Sequence, residues 1–439
     1  MGEVNQQQGE QKVAKKALIA SLIGSSIEWY DYFLYGTIAA LVFSKLYFPS
    51  GDPAVNLMLA YASFAIPFFI RPLGGVIFSH IGDKIGRKKT LVLTLSLMGG
   101  ATVLIGLLPT YEAIGIWAPI LLIVLRLIQG LGIGGEWGGA LLLAVEYAPD
   151  KKRGFFGSIP QMGVPIGMLL GTLSISLMTL LPDAAFLSWG WRVPFILSAI
   201  LVFMGLWIRN GLDETPAFKE AQKTGNIAKV PLVDTFKYHW REVLIAVGAK
   251  VVETGPFYIF STFIISYAAG TLGFEQSSAL NAVTIATLIT TIMIPFMGKW
   301  SDKVGRKPLY IWGTVAMMLY AFPYFYLLSL GSVFWLTVAT IIGLGIIWAP
   351  ITAVLGTMFS EIFATNVRYT GVTVGYQLGA ALAGGTAPLI ATALLSNFGN
   401  SSIPVAIYII LAGFISLIAM MFIHTTKAIA IEKQKNSAI

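Results

Sequence analysis

Several residues of this sequence stand where hydrocarbon does not tolerate them uncompensated: Glu28, Asp31, Arg71, Arg126, Glu136, Lys250 and Glu253 all interrupt long apolar runs. An ionisable group at the centre of a bilayer costs roughly 2.5–3.5 kcal/mol on insertion scales, so each needs a partner or an aqueous cavity. Glu28 and Asp31 are three residues apart and share a helix face with Tyr32 and Tyr35. A carboxyl group facing a cavity binds and releases protons, which makes both candidates for a proton-coupling site, with Glu136 a third; paired with an arginine, such an acid instead holds helices together.

Arg126, Gln129, Ile133 and Glu136 follow a three, four, three spacing and line one stripe of a helix. Arg126 is the candidate for gripping a substrate carboxylate, because guanidinium offers a fixed bidentate fork. The alternative is a structural lock to a carboxylate. Glu136 lies about 15 Å further along the axis at 1.5 Å per residue, so Arg126 needs a partner from another helix, and Asp31 is the expected one. Arg71, towards the cytoplasmic end of its helix, adjoins Pro72 and the pair Gly74-Gly75, which lets another backbone approach. It binds an anion, gates or packs. Lys250 and Glu253, at i and i+3, neutralise each other as a structural or gating pair, and Gly255-Pro256 just beyond predicts a break in the helix. Tyr32, Gln129, Gln161, Trp348, Tyr376 and Gln377 are further candidates for substrate contact, since unpaired amides and hydroxyls are unfavourable in hydrocarbon.

The elements that must position these groups are membrane spans. Of 439 residues 56% are hydrophobic and 11% charged, whereas an ordinary soluble domain carries about 25% charged residues. A spanning helix needs about 20 apolar residues. Runs of that order fall at 17–43, 55–80, 90–109, 117–146, 155–181, 191–209, 242–269, 277–299, 308–330, 333–359, 370–396 and 403–424. The fold class expected is therefore an all-α polytopic membrane protein of twelve helices.

Loops that retain Lys and Arg are cytoplasmic. Counting from an inside N-terminus, the inner segments collect Lys84, Arg87, Lys88, Lys89, Lys151, Lys152, Arg153, Lys299, Lys303, Arg306, Lys307 and Arg368, and the central loop adds Arg209, Lys219, Lys223, Lys229, Lys237 and Arg241, while Lys45 and Arg192 fall outside. Both termini are thus expected in the cytoplasm, around a plasma (inner) membrane protein. The organisation reads as a tail at 1–16, a six-helix bundle at 17–209, a linker at 210–240, a second bundle at 241–424 and a tail at 425–439. An N-terminal signal peptide would not carry Glu28 and Asp31 in its apolar region.

Two repeats support the division. Asp83-Lys84-Ile85-Gly86-Arg87-Lys88 recurs as Asp302-Lys303-Val304-Gly305-Arg306-Lys307, and Glu146 with Arg153 recurs as Glu361 with Arg368, each pair separated by six residues. Two unrelated patterns with nearly equal offsets argue for homologous halves, and parallel six-helix repeats place a substrate site at their interface near the bilayer midplane.

The loop from Asp83 to Lys89 and its copy from Gly298 to Lys307, with Ser79 in the first where the second has Gly298, resemble the hallmark of the major facilitator superfamily. Glu28-Trp29-Tyr30-Asp31-Tyr32, Arg71-Pro72-Leu73-Gly74-Gly75, Arg126-Leu127-Ile128-Gln129-Gly130, Gly134-Gly135-Glu136-Trp137-Gly138-Gly139, Gln161-Met162-Gly163-Val164-Pro165, Trp191-Arg192-Val193-Pro194-Phe195 and Arg368-Tyr369-Thr370-Gly371 resemble the metabolite:proton symporter family within it. The run from Glu136 to Gly171 is similar to shikimate-type members. The resemblance implies two pseudo-symmetric bundles and proton-coupled uptake by alternating access of a small organic acid, with a zwitterionic osmolyte such as proline or betaine as the alternative. It implies a protein able to work as a monomer in the lipid bilayer, with protons as coupling ion and no other cofactor. It also implies that Asp83, Arg87, Arg153, Asp302, Arg306 and Arg368 form a cytoplasmic gate.

Other classes fit less well. The basic residues, for a formal charge of +8, are scattered between apolar runs rather than gathered into a nucleic-acid-binding stripe. Cysteine is absent, which removes thiolate chemistry. His80, His239 and His424 are far apart and no nucleotide or metal signature appears, so an enzyme is not expected. A passive pore would not need acids at midspan.

Overall fold

The computed structural model describes residues 2–211, 213–214, 219, 231–364 and 367–423. Each apolar run is a helix within it. These are α1 (Gly2–Ile38, continued by a wider π turn at Ala39–Phe43), α2 (Pro53–Ile85), α3 (Arg87–Leu107), α4 (Trp117–Glu146), α5 (Arg153–Met178) and α6 (Arg192–Asn210). There follow α7 (Trp240–Gly270), α8 (Gln276–Val304), α9 (Arg306–Ser329), α10 (Val333–Ile362), α11 (Arg368–Asn397) and α12 (Ile403–Met421). From α2 onward, all eleven are long and apolar enough to cross a membrane. α1 completes the twelve; Glu28, Asp31 and its serines and tyrosines dilute its apolar run. Linker positions 212, 215–218 and 220–230, and the tail from 424 with His424, lie outside the described residues.

By contact the chain divides into two compact units, Met1–Tyr147 with Met162–Lys219, and Ala148–Gln161 with Glu220–Ile439. In the first, α2 and α3 pack on α4, α3 on α6, and α1 on α5 and α6; in the second, α8 and α9 pack on α10, α9 on α12, and α7 on α11 and α12. Shifting every helix by six maps one pattern onto the other, as duplication of a six-helix unit requires.

Glycine sets the closest of these contacts. A methyl on Gly74 would lie 2.2 Å from the Leu131 carbonyl oxygen, and one on Gly134 2.2 Å from that of Arg71. α2 and α4 therefore touch backbone to backbone, which is how small residues hold membrane helices together, and the contact places Arg71 near the stripe of Arg126. Gly134→Leu forces this seam apart and is expected to cost about 1–3 kcal/mol, the usual range for overpacking. Thermal unfolding in detergent checks it.

The break expected at Gly255-Pro256 is not where the structure puts the irregularity. The helix runs through Pro256, and the ladder widens at the π turn Ile259–Phe263, where the Ile259 N–H is shared between the Gly255 and Pro256 carbonyls. Such local adjustment lets a membrane helix carry proline without breaking.

Candidate functional site

The polar groups of the first unit meet through hydrogen bonds that the spacing alone does not reveal. Asp31, fully buried on α1, accepts from the Thr102 hydroxyl of α3 at 2.6 Å. The Gln129 amide donates to that hydroxyl oxygen at 2.8 Å, and Gln129 Oε1 accepts from Arg126 Nη1. The other Arg126 nitrogens are engaged as well: Nε donates to the Ser63 carbonyl at 3.4 Å and Nη2 to that of Phe64 at 3.0 Å, with the guanidinium 3.7 Å above the Tyr35 ring. The direct pair expected between Arg126 and Asp31 is therefore replaced by a relay. Gln129, one turn along α4, and the carbonyls of α2 absorb the fork before the carboxylate is reached.

Arg71 contrasts with this. It stands near the middle of α2 rather than towards the cytoplasmic end, only 4% exposed, with its guanidinium 5.2 Å from the Tyr32 ring centre and 4.9 Å from that of Phe68. Its Nε and Nη2 find no acceptor among the described residues. Tyr32 also meets Phe64 at 4.8 Å and Trp29 at 5.6 Å, so Arg71 and Arg126 border one aromatic cluster.

Glu136 has a partner the spacing did not disclose. Arg209 of α6, counted in the sequence among linker cations, is buried and grips Glu136 with both terminal nitrogens, Nη1 at 3.1 Å; Thr94 adds a hydroxyl at 2.9 Å, and Arg209 Nη1 also reaches the Leu91 carbonyl at 2.7 Å. Gly24 leaves the room, since a methyl there would sit 1.8 Å from Arg209 Nη2. The signal was present: a buried acid requires a cation, and Arg209 closes an apolar run. Thr102 carried none, being one hydroxyl among many. Glu28 is buried on α1.

In the second unit the Lys250 to Glu253 pair forms as spaced. Glu253 also accepts from Thr254 at 2.8 Å and Thr352 at 3.1 Å, and Lys250 lies 3.7 Å over the Tyr376 ring. The Trp348 indole donates to the Glu253 carbonyl at 2.6 Å, so this expected substrate contact is committed to the helix backbone. Gln377 and Gln161 are buried.

At the loops, the two sequence repeats converge. Arg87 pairs with Glu146 at 3.0 Å, and Arg306 with Glu361 at 3.4 Å and Asp302 at 3.0 Å. These pairs of the expected gate residues each lie within one unit. Asp302 further accepts the Gly154 and Phe155 N–H groups at 2.7 and 3.0 Å, capping the first turn of α5. The Arg153 carbonyl accepts from Thr357, Arg368 Nε donates to the Phe363 carbonyl, and Asp83 is buried. Glu214 accepts from the Arg87 and Lys88 N–H groups at the start of α3. Tyr147, beyond the end of α4, donates to the Asp213 and Glu214 carbonyls; burial, reinforced by the acids Asp213, Glu214 and Glu146, pushes its phenol up to about 12, so it stays a neutral donor.

Comparison with known proteins agrees with this architecture. The family model of the Major Facilitator Superfamily matches residues 21–372 and again 248–437. The chain is 40% identical over 417 residues to the shikimate transporter of Escherichia coli (strain K12), covering 94% of this chain and 95% of that one. It is 35% identical over 417 residues to the proline/betaine transporter of the same organism, covering 92% and 82%. In fold it is similar to the proton:xylose symporter XylE, with a TM-score of 0.73 at 18% identity over 94% and 95% of the two chains. With twelve helices in two matching units, and relatives of this identity from end to end, the chain belongs to the major facilitator superfamily of membrane transporters.

Proposed function

We propose that this chain is a secondary active transporter that takes up a small organic acid, shikimate or a similar carboxylate, together with protons by alternating access. The observation that carries this reading is Arg71. It is a mid-membrane guanidinium whose Nε and Nη2 lack acceptors among the described residues, walled by Tyr32 and Phe68. A buried donor left unmade costs about 1–3 kcal/mol, more when charged, and a carboxylate ligand removes that cost with the geometry the fork prefers. Arg126, already engaged, supplies positive field rather than the first contact. Tyr32 and Gln129, in the same unit, shape the surroundings of the transported molecule. Asp31 takes the proton, with Glu28 beside it on α1. The carrier works as a monomer in a plasma (inner) membrane with both termini cytoplasmic, in line with its Lys and Arg distribution. Protons are its coupling ion.

The test is transport in proteoliposomes. Adding shikimate is expected to make the external medium more alkaline in the presence of wild-type protein and to leave empty liposomes unchanged. Asp31→Asn is expected to retain exchange of shikimate across the membrane while losing accumulation under an imposed proton gradient; full accumulation by this variant sinks the assignment of Asp31. A second reading, uptake of a zwitterion such as betaine or proline, is favoured by the cluster of Trp29, Tyr32, Phe64 and Phe68, whose ring faces suit a quaternary ammonium. It predicts alkalinisation by betaine and none by shikimate.

A further inference from the structure

Thr102 occupies a place the proposed chemistry has not yet used. Arginine has only donors, so Gln129 Oε1 must accept from Arg126 Nη1. The Gln129 amide nitrogen then donates to Thr102 Oγ1, and the single Thr102 proton is left for Asp31 Oδ2 at 2.6 Å. The direction of the chain is forced from the arginine end as far as Thr102 Oγ1. The Thr102 hydroxyl has a second acceptor within reach, the Met98 carbonyl at 3.0 Å on its own helix.

We propose that Thr102 is the positioning residue for proton coupling, a hydroxyl with two resting directions that keeps Asp31 hydrogen-bonded in both of its protonation states. With Asp31 ionised, the hydroxyl donates to the carboxylate. With Asp31 protonated, the new carboxyl O–H donates to Thr102 Oγ1, and the hydroxyl proton turns to the Met98 carbonyl. Oγ1 then accepts from Asp31 and Gln129 together, using both lone pairs. Only the proton from solution is gained, and no buried donor is orphaned in either state. Arg126 stays bound to Gln129 while the negative charge near it comes and goes.

The groups around Asp31 leave this switch to Thr102. Arg126 on α4 acts on it electrostatically, the Gln129 side chain adds a hydrogen-bonding influence weaker than that of Thr102, and Tyr30 adjoins it on α1, with Glu28 one turn earlier. Arg71 on α2 acts on Arg126. On α6, Arg192 is engaged with the Gly106 and Leu108 carbonyls and Arg209 with Glu136. α5 carries no ionisable side chain after Arg153.

This inference rests on Asp31 being the proton site, and its test needs no substrate. Infrared difference spectra of the purified protein across pH follow the carbonyl band of protonated Asp31, identified by its loss in Asp31→Asn. Thr102→Val keeps the shape and removes the hydroxyl. The ionised carboxylate loses a donor, so the band is expected to persist about one to two pH units further into the alkaline range, and Thr102→Ser is expected to restore the wild-type midpoint. A Thr102→Val midpoint equal to wild type overturns the proposal, as does a Thr102→Ser variant that behaves like Thr102→Val. A wild-type protein with no Asp31 band at any pH removes the proton site itself, an outcome distinct from the failure of Thr102 alone.

Discussion

Replacing Arg71 by Gln is expected to weaken binding of an anionic substrate by about 3 kcal/mol, on the order of a hundredfold in Kd, with the fold intact. The size follows from where the guanidinium stands. It is buried, flanked by Tyr32 and Phe68, and two of its nitrogens have no acceptor among the described residues, so little of its hydrogen-bonding capacity is spent on the protein. Arg71→Lys keeps the charge but loses the planar fork and is expected to fall between. Arg126→Lys should behave differently. Its guanidinium ties α4 to the Ser63 and Phe64 carbonyls of α2, so its loss registers in melting temperature before affinity. Calorimetric titration with shikimate, beside thermal unfolding of the same samples, separates the two; undiminished affinity in Arg71→Gln would remove the proposed anion site.

The second large effect is one of stability. Arg209→Met leaves the fully buried Glu136 with only the Thr94 hydroxyl, and removing one member of a buried pair costs about 3–5 kcal/mol. Glu136→Gln strands Arg209 in turn. The double change Arg209→Met with Glu136→Met is expected to recover most of the loss, because two apolar side chains of similar size can replace a buried pair at little net cost. Unfolding curves of the four proteins in one detergent decide this. If Glu136→Gln melts like wild type yet loses proton-driven accumulation, Glu136 belongs with Asp31 in coupling and the pair with Arg209 is not its main role.

Much of the fold was legible because a bilayer imposes length and composition on each helix. All twelve runs are helices, and α1 was recognisable despite Glu28 and Asp31 because its apolar length survives them. The repeats were legible too, and the structure adds what spacing could not: Arg87 of one pattern meets Glu146 of the other, and Arg306 meets Glu361. What sequence reasoning could not deliver was the choice of partner across helices. Periodicity ranks residues on one helix but does not say which neighbour supplies the other half of a bond. Arg126 therefore looked destined for Asp31, when Gln129 on its own helix stands between, and Arg209 looked like a loop charge when it reaches Glu136. Neutral hydroxyls such as Thr102 are hardest to foresee, since they insert into apolar helices without a telling cost.

The coupled Lys250 and Glu253 bear on how a membrane potential acts on the second unit. A lone elementary charge displaced across the full membrane field gains or loses about 2.3 kcal/mol per 100 mV, but a cation and an anion one helical turn apart travel together and nearly cancel. That pair is therefore expected to add little to any dependence of transport on membrane potential.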